Sequence, residues 1–136
     1  MTLNEIMNSS GSDKGDQIGA KHNYTPIYEK WFEPHRDADV KFMEVGVDFG
    51  QSVKGWQSYF TRAKIYMVDY ANFTHLNNER VTFYQGNQSK MEDMVRVSNQ
   101  VSDLDFFIDD GGHCMDHQQI TFGAIFPKMK SGGLFF

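Results

Sequence analysis

From about residue 40 the chain alternates short runs of apolar, largely β-branched and aromatic residues with stretches whose apolar positions recur at helical spacing. VKFMEVGV (40–47), KIYMVDY (64–70), VTFYQGN (81–87) and LDFFIDDG (104–111) read as four strands, each running out into a polar or glycine-bearing turn. SVKGWQSYF (52–60), MEDMVRVSNQ (91–100) and HCMDHQQITFGAIFPKM (113–129) read as the helices between them. In the last of these, Met115, Ile120, Phe122, Ile125 and Phe126 are expected roughly on one side. SGG (131–133) is expected to stop that helix, and LFF (134–136) to begin a fifth strand. Strands apolar on both faces that alternate with helices predict an α/β fold, a mostly parallel sheet with helices on both faces.

The N-terminal part reads differently. Residues 9–25 are polar and rich in Gly and Ser, and YTPIYEKWF (24–32) then places aromatics at helical spacing. Pro26 suits a first helical turn, with Thr25 as its cap. The expected organisation is a short helical cap or lid over residues 1–38 and a single α/β unit over 39–136. No repeat, low-complexity segment or interdomain linker interrupts it. Phe136 falls inside an apolar run, so a sheet incomplete at its C-terminal side is expected. Its open edge would suit pairing with another copy of the chain.

A parallel sheet of this kind binds ligands beyond the carboxyl ends of its strands. Those ends carry Glu44 and Gly46, Asp69, Asn87 and Gln88, and Asp109 and Asp110. In MEVGVDFGQS (43–52), Gly46 and Gly50 allow a sharp turn and a close approach by a ligand, although the spacing is E-x-G-x-x-x-G and not the dinucleotide G-x-G-x-x-G. A plain strand-to-helix turn fits the same residues. Asp69 lies about 20 residues past the glycine loop, the position at which a carboxylate accepts ribose hydroxyls in nucleoside-binding sheets. A solvated strand-end aspartate is the alternative. FFIDDGGHCMDH (106–117) is open to a turn and helix cap, or to a catalytic or metal-binding edge. His113 and His117 have the i, i+4 spacing of a zinc pair, but no further Cys/His cluster accompanies them. Tyr24, Tyr28, Trp31 and Phe32 are expected to pack rather than to form a substrate platform, and His35, His75 and Cys114 carry no expected role.

Composition narrows the partners. The formal charge is −5 with no run of Lys or Arg, which argues against nucleic acid. No apolar stretch approaches the ~20 residues that span a bilayer. One cysteine in 136 residues fits a reducing compartment, and a cytoplasmic chain is the expectation.

EVGVDFG, YMVDY, FYQGNQ, FFIDDGGH and HQQITFGAIFPKMKSGGLFF, with the N-terminal SDKGDQIGAKHNYTPIY, together resemble a class I S-adenosylmethionine-dependent methyltransferase. More narrowly, the chain is similar to the macrocin- and mycinamicin-type sugar O-methyltransferases, which share SDKG…H-x-Y-x-x-x-Y and DDGxHxxxHQxxTFxxxFPxLKxGG. The resemblance implies a Rossmann-like methyltransferase core and methyl transfer to a hydroxyl of a small-molecule acceptor, such as a sugar. It also implies roles residue by residue. Glu44, Gly46, Gly50 and Ser52 would form the cofactor loop, and Asp69 would hold the ribose. Asn87 and Gln88 would lie beside the adenine, where the family has Asp-Gln, so one charge is missing here. Asp109 would lie near the sulfonium and amino end. Asp110 would be a magnesium ligand and His113 the general base. Lys14, His22, Tyr24 and Tyr28 would belong to a segment closing over the site. In that family an acidic pair beyond GGLFF completes the metal site, and the chain stops before it.

The physical chemistry suits those roles. A histidine with an ordinary pKa of about 6.5 can accept a proton from the attacking hydroxyl at neutral pH. Magnesium favours several oxygen ligands, of which Asp110 is one. The alternatives left open are an NAD-dependent oxidoreductase or epimerase on a similar sheet, and a non-catalytic cofactor-binding remnant.

Overall fold

The computed structural model describes residues 1–17, 23–47, 49–112 and 114–136. Within it the chain forms two compact units, Met1–Asp39 with Asp48–Ala63, and Val40–Val47 with Lys64–Phe136.

In the first unit, helix α1 (Leu3–Ser10) starts with a capping box. The Thr2 hydroxyl accepts the Glu5 N–H, and the Glu5 carboxylate accepts the Thr2 N–H, so two orphan donors are satisfied reciprocally. TLNE carries that signature in the sequence, within the stretch expected to form a helical cap. Helix α2 (Thr25–Phe32) has Pro26 in its first turn, as expected, but Thr25 does not cap it. Tyr24 is the cap residue, and the Thr25 hydroxyl donates instead to Asn4 Oδ1 at 3.1 Å, a partner on α1. Helix α3 (Gln51–Tyr59) packs on α1 across Gly55, where a Cβ would run into the Met7 sulfur. The unit is sealed by aromatic rings. Phe32 stacks on Tyr28 at 5.7 Å and meets Trp56 at 5.8 Å and Phe60 at 5.3 Å. The expected packing role therefore holds for Tyr28 and Phe32, whereas Tyr24 and Trp31 are exposed.

The second unit is a five-stranded, all-parallel sheet. Its strands are β1 (Lys41–Val45), β2 (Lys64–Asp69), β3 (Val81–Gln85), β4 (Leu104–Asp109) and β5 (Met129–Phe135), in the order β3-β2-β1-β4-β5. Helices α4 (Met91–Ser98) and α5 (Met115–Ile125) cover one face. Met94, Val97, Ala124 and Ile125 pack there with Met43, Val45, Val68 and Phe107 from the strands. Phe42, Ile65, Met67, Phe106 and Ile108, at other strand positions, are buried as well. Near-continuous apolar strands of this sort are what a parallel sheet requires.

Two expectations for the C-terminal part are corrected. The buried positions of α5 are Thr121, Ala124 and Ile125, spaced i, i+3, i+4. Met115, Phe122 and Phe126 are exposed, and the two Phe rings stack on each other at 4.7 Å. SGG does not precede the fifth strand but lies within it. β5 pairs Met129 with Leu104 and Leu134 with Phe106, and the residues between absorb an irregularity. Gly133 fits there because its hydrogen side faces the Leu104 and Asp105 carbonyls, at 2.9 and 3.0 Å from where a Cβ would sit.

Among the described residues, no helix is long and apolar enough to cross a membrane.

Candidate active site at the carboxyl edge of the sheet

The strand order places β1 between β2 and β4, the point at which the crossovers of a doubly wound sheet reverse and leave a crevice. Gly46, the residue after β1, takes φ +99°, where an L side chain is strained. A Cβ there would also collide with the Asp110 carbonyl. The three strand ends are laced together by the Gly46 N–H on Val68 O and the Asp110 N–H on Val45 O, both at 2.8 Å. Backbone alone fills this position. The turn after β4 thus occupies the space that a side chain at this position would take.

Asp69 closes β2. One carboxylate oxygen accepts the Val47 N–H at 2.8 Å and the other the Ala71 N–H at 2.9 Å. An ionised carboxylate has about four lone-pair sites, so these two bonds orient Asp69 and leave each oxygen able to accept a hydroxyl. The same carboxylate fixes the loop that follows β1. A vicinal diol, such as that of a ribose, matches what remains.

The side-chain oxygen of Asn87, expected beside the adenine, bonds within its own loop. That oxygen accepts the Ser89 N–H at 2.9 Å and the Ser89 hydroxyl at 2.6 Å, and the Asn87 N–H donates to Asp93 at 2.9 Å. The side-chain carbonyl shapes the loop after β3 as an Asx turn. Its neighbour Gln88 is buried, with Nε2 donating to Asp109 Oδ1 at 2.8 Å and Oε1 accepting the Gly112 N–H at 2.9 Å. Asp109 Oδ1 also accepts the Gly111 N–H at 3.3 Å. The fold thus brings Gln88 and Asp109 into contact and ties both to the turn after β4. Glu44 is fully buried, and Asp110 is half-buried. Asp93 and the Val47 and Ala71 amides are participants that the sequence reading did not single out for the site, and the half-buried ring of His117, weighed there as half of a zinc pair, lies against Gly112. The paired glycines 111 and 112 were the available signal for close packing at that turn.

In the first unit, Gly50 takes φ +86° as the residue before α3, and Ser52 is buried in that helix's first turn. Lys14 is buried, its N–H donating to Ser12 Oγ at 3.2 Å and its carbonyl accepting the Tyr24 N–H at 3.1 Å. The expected base His113 and the expected lid residue His22 lie outside the described residues.

Among the described residues, no group of three or more His, Cys, Asp and Glu side chains could hold a metal ion. Asp110 supplies one carboxylate, which falls short of the several oxygens a magnesium ion takes. The described residues fit a nucleoside cofactor and do not by themselves fit the metal.

No family model matches the chain. Among curated proteins it is 32 % identical to mycinamicin VI 2''-O-methyltransferase of Micromonospora griseorubida, over 88 % of this chain and 32 % of that protein. It is 35 % identical to 8-demethyl-8-(2-methoxy-alpha-L-rhamnosyl)-tetracenomycin-C 3'-O-methyltransferase of Streptomyces olivaceus, over 88 % of this chain and 33 % of that one. The chain thus spans about a third of the length of these relatives. Among solved structures, the MycE methyltransferase of the mycinamycin biosynthetic pathway, in complex with Mg, SAH and mycinamycin VI, matches with a TM-score of 0.89 and 31 % identity. That match covers 99 % of this chain and 38 % of MycE. Sequence and fold agree that the chain is a homologue of the macrocin- and mycinamicin-type sugar O-methyltransferases and carries their Rossmann-like methyltransferase fold.

Proposed function

We propose that this chain is the cofactor-binding part of a cytoplasmic S-adenosylmethionine-dependent O-methyltransferase whose acceptor is a hydroxyl on a sugar-bearing small molecule. The observation that carries this reading is the match along almost the entire chain to a methyltransferase solved in complex with Mg, SAH and mycinamycin VI. The site geometry is consistent with it. When bound, S-adenosylmethionine supplies an electrophilic methyl group on a sulfonium sulfur. Asp69 accepts the ribose hydroxyls with the lone pairs that its two backbone donors leave. Glu44 and the main chain around Gly46 receive the methionine part, a role that the family resemblance extends to Gly50 and Ser52 later in the sequence. Gln88 and Asn87 define the loop next to the base, and Asp109 faces the amino and sulfonium end. His113, three residues past Asp110 in the sequence, takes the proton from the acceptor hydroxyl as its oxygen attacks the methyl carbon. The rest of the rate advantage comes from aligning oxygen, carbon and sulfur. Magnesium remains a candidate cofactor through Asp110, and no step here runs through it.

The test is a binding competition between SAH and NAD, by calorimetry, on folded protein with and without magnesium. Saturable SAH binding with no NAD binding is expected. NAD binding without SAH binding would move the chain to the oxidoreductase or epimerase class. SAH binding without methyl transfer to any glycosylated acceptor, even in a full-length relative carrying this segment, would favour the non-catalytic reading.

We also propose a homo-oligomer through the open sheet edge. The exposed Phe122–Phe126 stack continues to Phe135 of β5 at 5.1 Å, which sets apolar rings beside an edge strand. Sedimentation velocity should show self-association that Phe126→Glu abolishes, and a monomer at all concentrations would contradict it.

A further inference from the structure

Gln88 is the feature of this edge that a cofactor-contact role does not explain. It is only 8 % exposed, and both ends of its amide are engaged within the protein. The chemistry leaves no ambiguity about which end is which. A backbone N–H can only donate, so the atom facing Gly112 is the oxygen, and a carboxylate can only accept, so the atom facing Asp109 is the NH2. The two bonds span 21 and 24 residues of sequence and join the loop after β3 to the turn after β4. That turn has no spare room. A Cβ at Gly111 would collide with the Gln88 amide and sit 3.0 Å from Val45 Cγ1, and one at Gly112 would collide with the His117 ring.

We propose that Gln88 is a positioning residue: its buried amide clamps the Asp109 carboxylate to the Gly111–Gly112 turn and so sets the orientation in which Asp109 meets the cofactor. The inference rests on the methyltransferase reading for what Asp109 contacts, but not for the clamp itself. No other side chain reproduces it in full. Glutamate accepts from Gly112 but sets a second carboxylate against Asp109. Methionine keeps the length and neither bond. Asparagine is one methylene short of joining the two.

Two variants separate the parts of the claim. In Gln88→Met, hydrogen exchange at the Gly112 amide should accelerate roughly tenfold or more relative to neighbouring strand amides, because its acceptor is gone. In Gln88→Glu that amide should stay protected, since the acceptor remains. Affinity for SAH, measured on protein shown to be folded by circular dichroism, should fall about tenfold or more in Gln88→Glu, where Asp109 is repelled from its place. A smaller loss is expected in Gln88→Met. A residue that only stabilised the fold would lower the melting temperature without changing the affinity of the folded protein. Unchanged Gly112 exchange in Gln88→Met overturns the clamp, whatever the cofactor. Altered exchange with unchanged SAH affinity in both variants overturns the positioning role. Absence of SAH binding in the parent chain overturns the functional reading, and with it the assignment of Asp109, while the exchange measurement still decides the clamp.

Discussion

Replacing Gly46 by alanine probes the point where three strand ends meet. At φ +99° a residue with a Cβ is held in a sparsely populated region at a cost of about 1–3 kcal/mol. The new methyl would also collide with the Asp110 carbonyl and lie 3.0 Å from Gly111 N, and relieving such an overlap costs about 1–3 kcal/mol more. The sum, about 2–6 kcal/mol, is a large share of the roughly 5–15 kcal/mol that stabilises a domain. For 136 residues each kcal/mol moves the melting temperature by about 3–5 °C, so a fall of at least about 6 °C is expected. Urea unfolding, with an unchanged m-value, would show that the loss is in the native state. SAH affinity should fall as well, because the Asp110 carbonyl must move. Gly123→Ala is the internal control. That residue is exposed on α5 with nothing within 4 Å of a new Cβ, so alanine should raise stability by about 0.5–1 kcal/mol through helix propensity. A Gly46→Ala protein that melts within about 2 °C of the parent would refute the reasoning about this turn.

Other perturbations follow from the packing. The buried Tyr59 hydroxyl donates to Glu33 at 2.8 Å, so Tyr59→Phe should cost about 1 kcal/mol in urea unfolding at neutral pH. Burial, then the hydrogen bond and charge of Glu33, raise the Tyr59 phenol above its ordinary value. A raised folded-state value gives stability that is complete below the unfolded value near 10 and declines as pH climbs past it, so Tyr59→Phe should shallow the alkaline fall of stability. Tyr66 and Tyr84 are raised by burial with the same sign, so part of that fall should persist. Among the described residues, the Thr121 hydroxyl is a buried polar group with no hydrogen-bond partner, and Thr121→Val should stabilise by about 1 kcal/mol in thermal melts.

The sheet was legible because a parallel strand buried on both faces must be apolar throughout. β2 and β4 begin where their apolar runs were expected to begin, and each ends at its aspartate. Helix α5 was less legible. Its apolar residues exceed what one face can bury, and Thr121 and Ala124 take buried positions while Phe122 and Phe126 stay exposed. Thr25 was misread because a distant partner, Asn4, competes for its hydroxyl. SGG was misread because glycines that end a helix are the same residues that let a strand pass close to two carbonyls. At the sheet's edge, the place of Asp69 as the last residue of β2 was readable from the apolar run before it. The Gln88 clamp was not, since its partners lie more than 20 residues away and only the fold brings them together.

The central claim is that Asp69, held by the Val47 and Ala71 amides, receives the ribose of a bound S-adenosyl cofactor. Calorimetric titration of the parent chain and of Asp69→Ala with SAH tests it most directly. The account predicts saturable binding by the parent and a loss of roughly tenfold or more in a folded Asp69→Ala protein, the effect of removing a charged acceptor. No binding by the folded parent, or equal binding by the two, would contradict it.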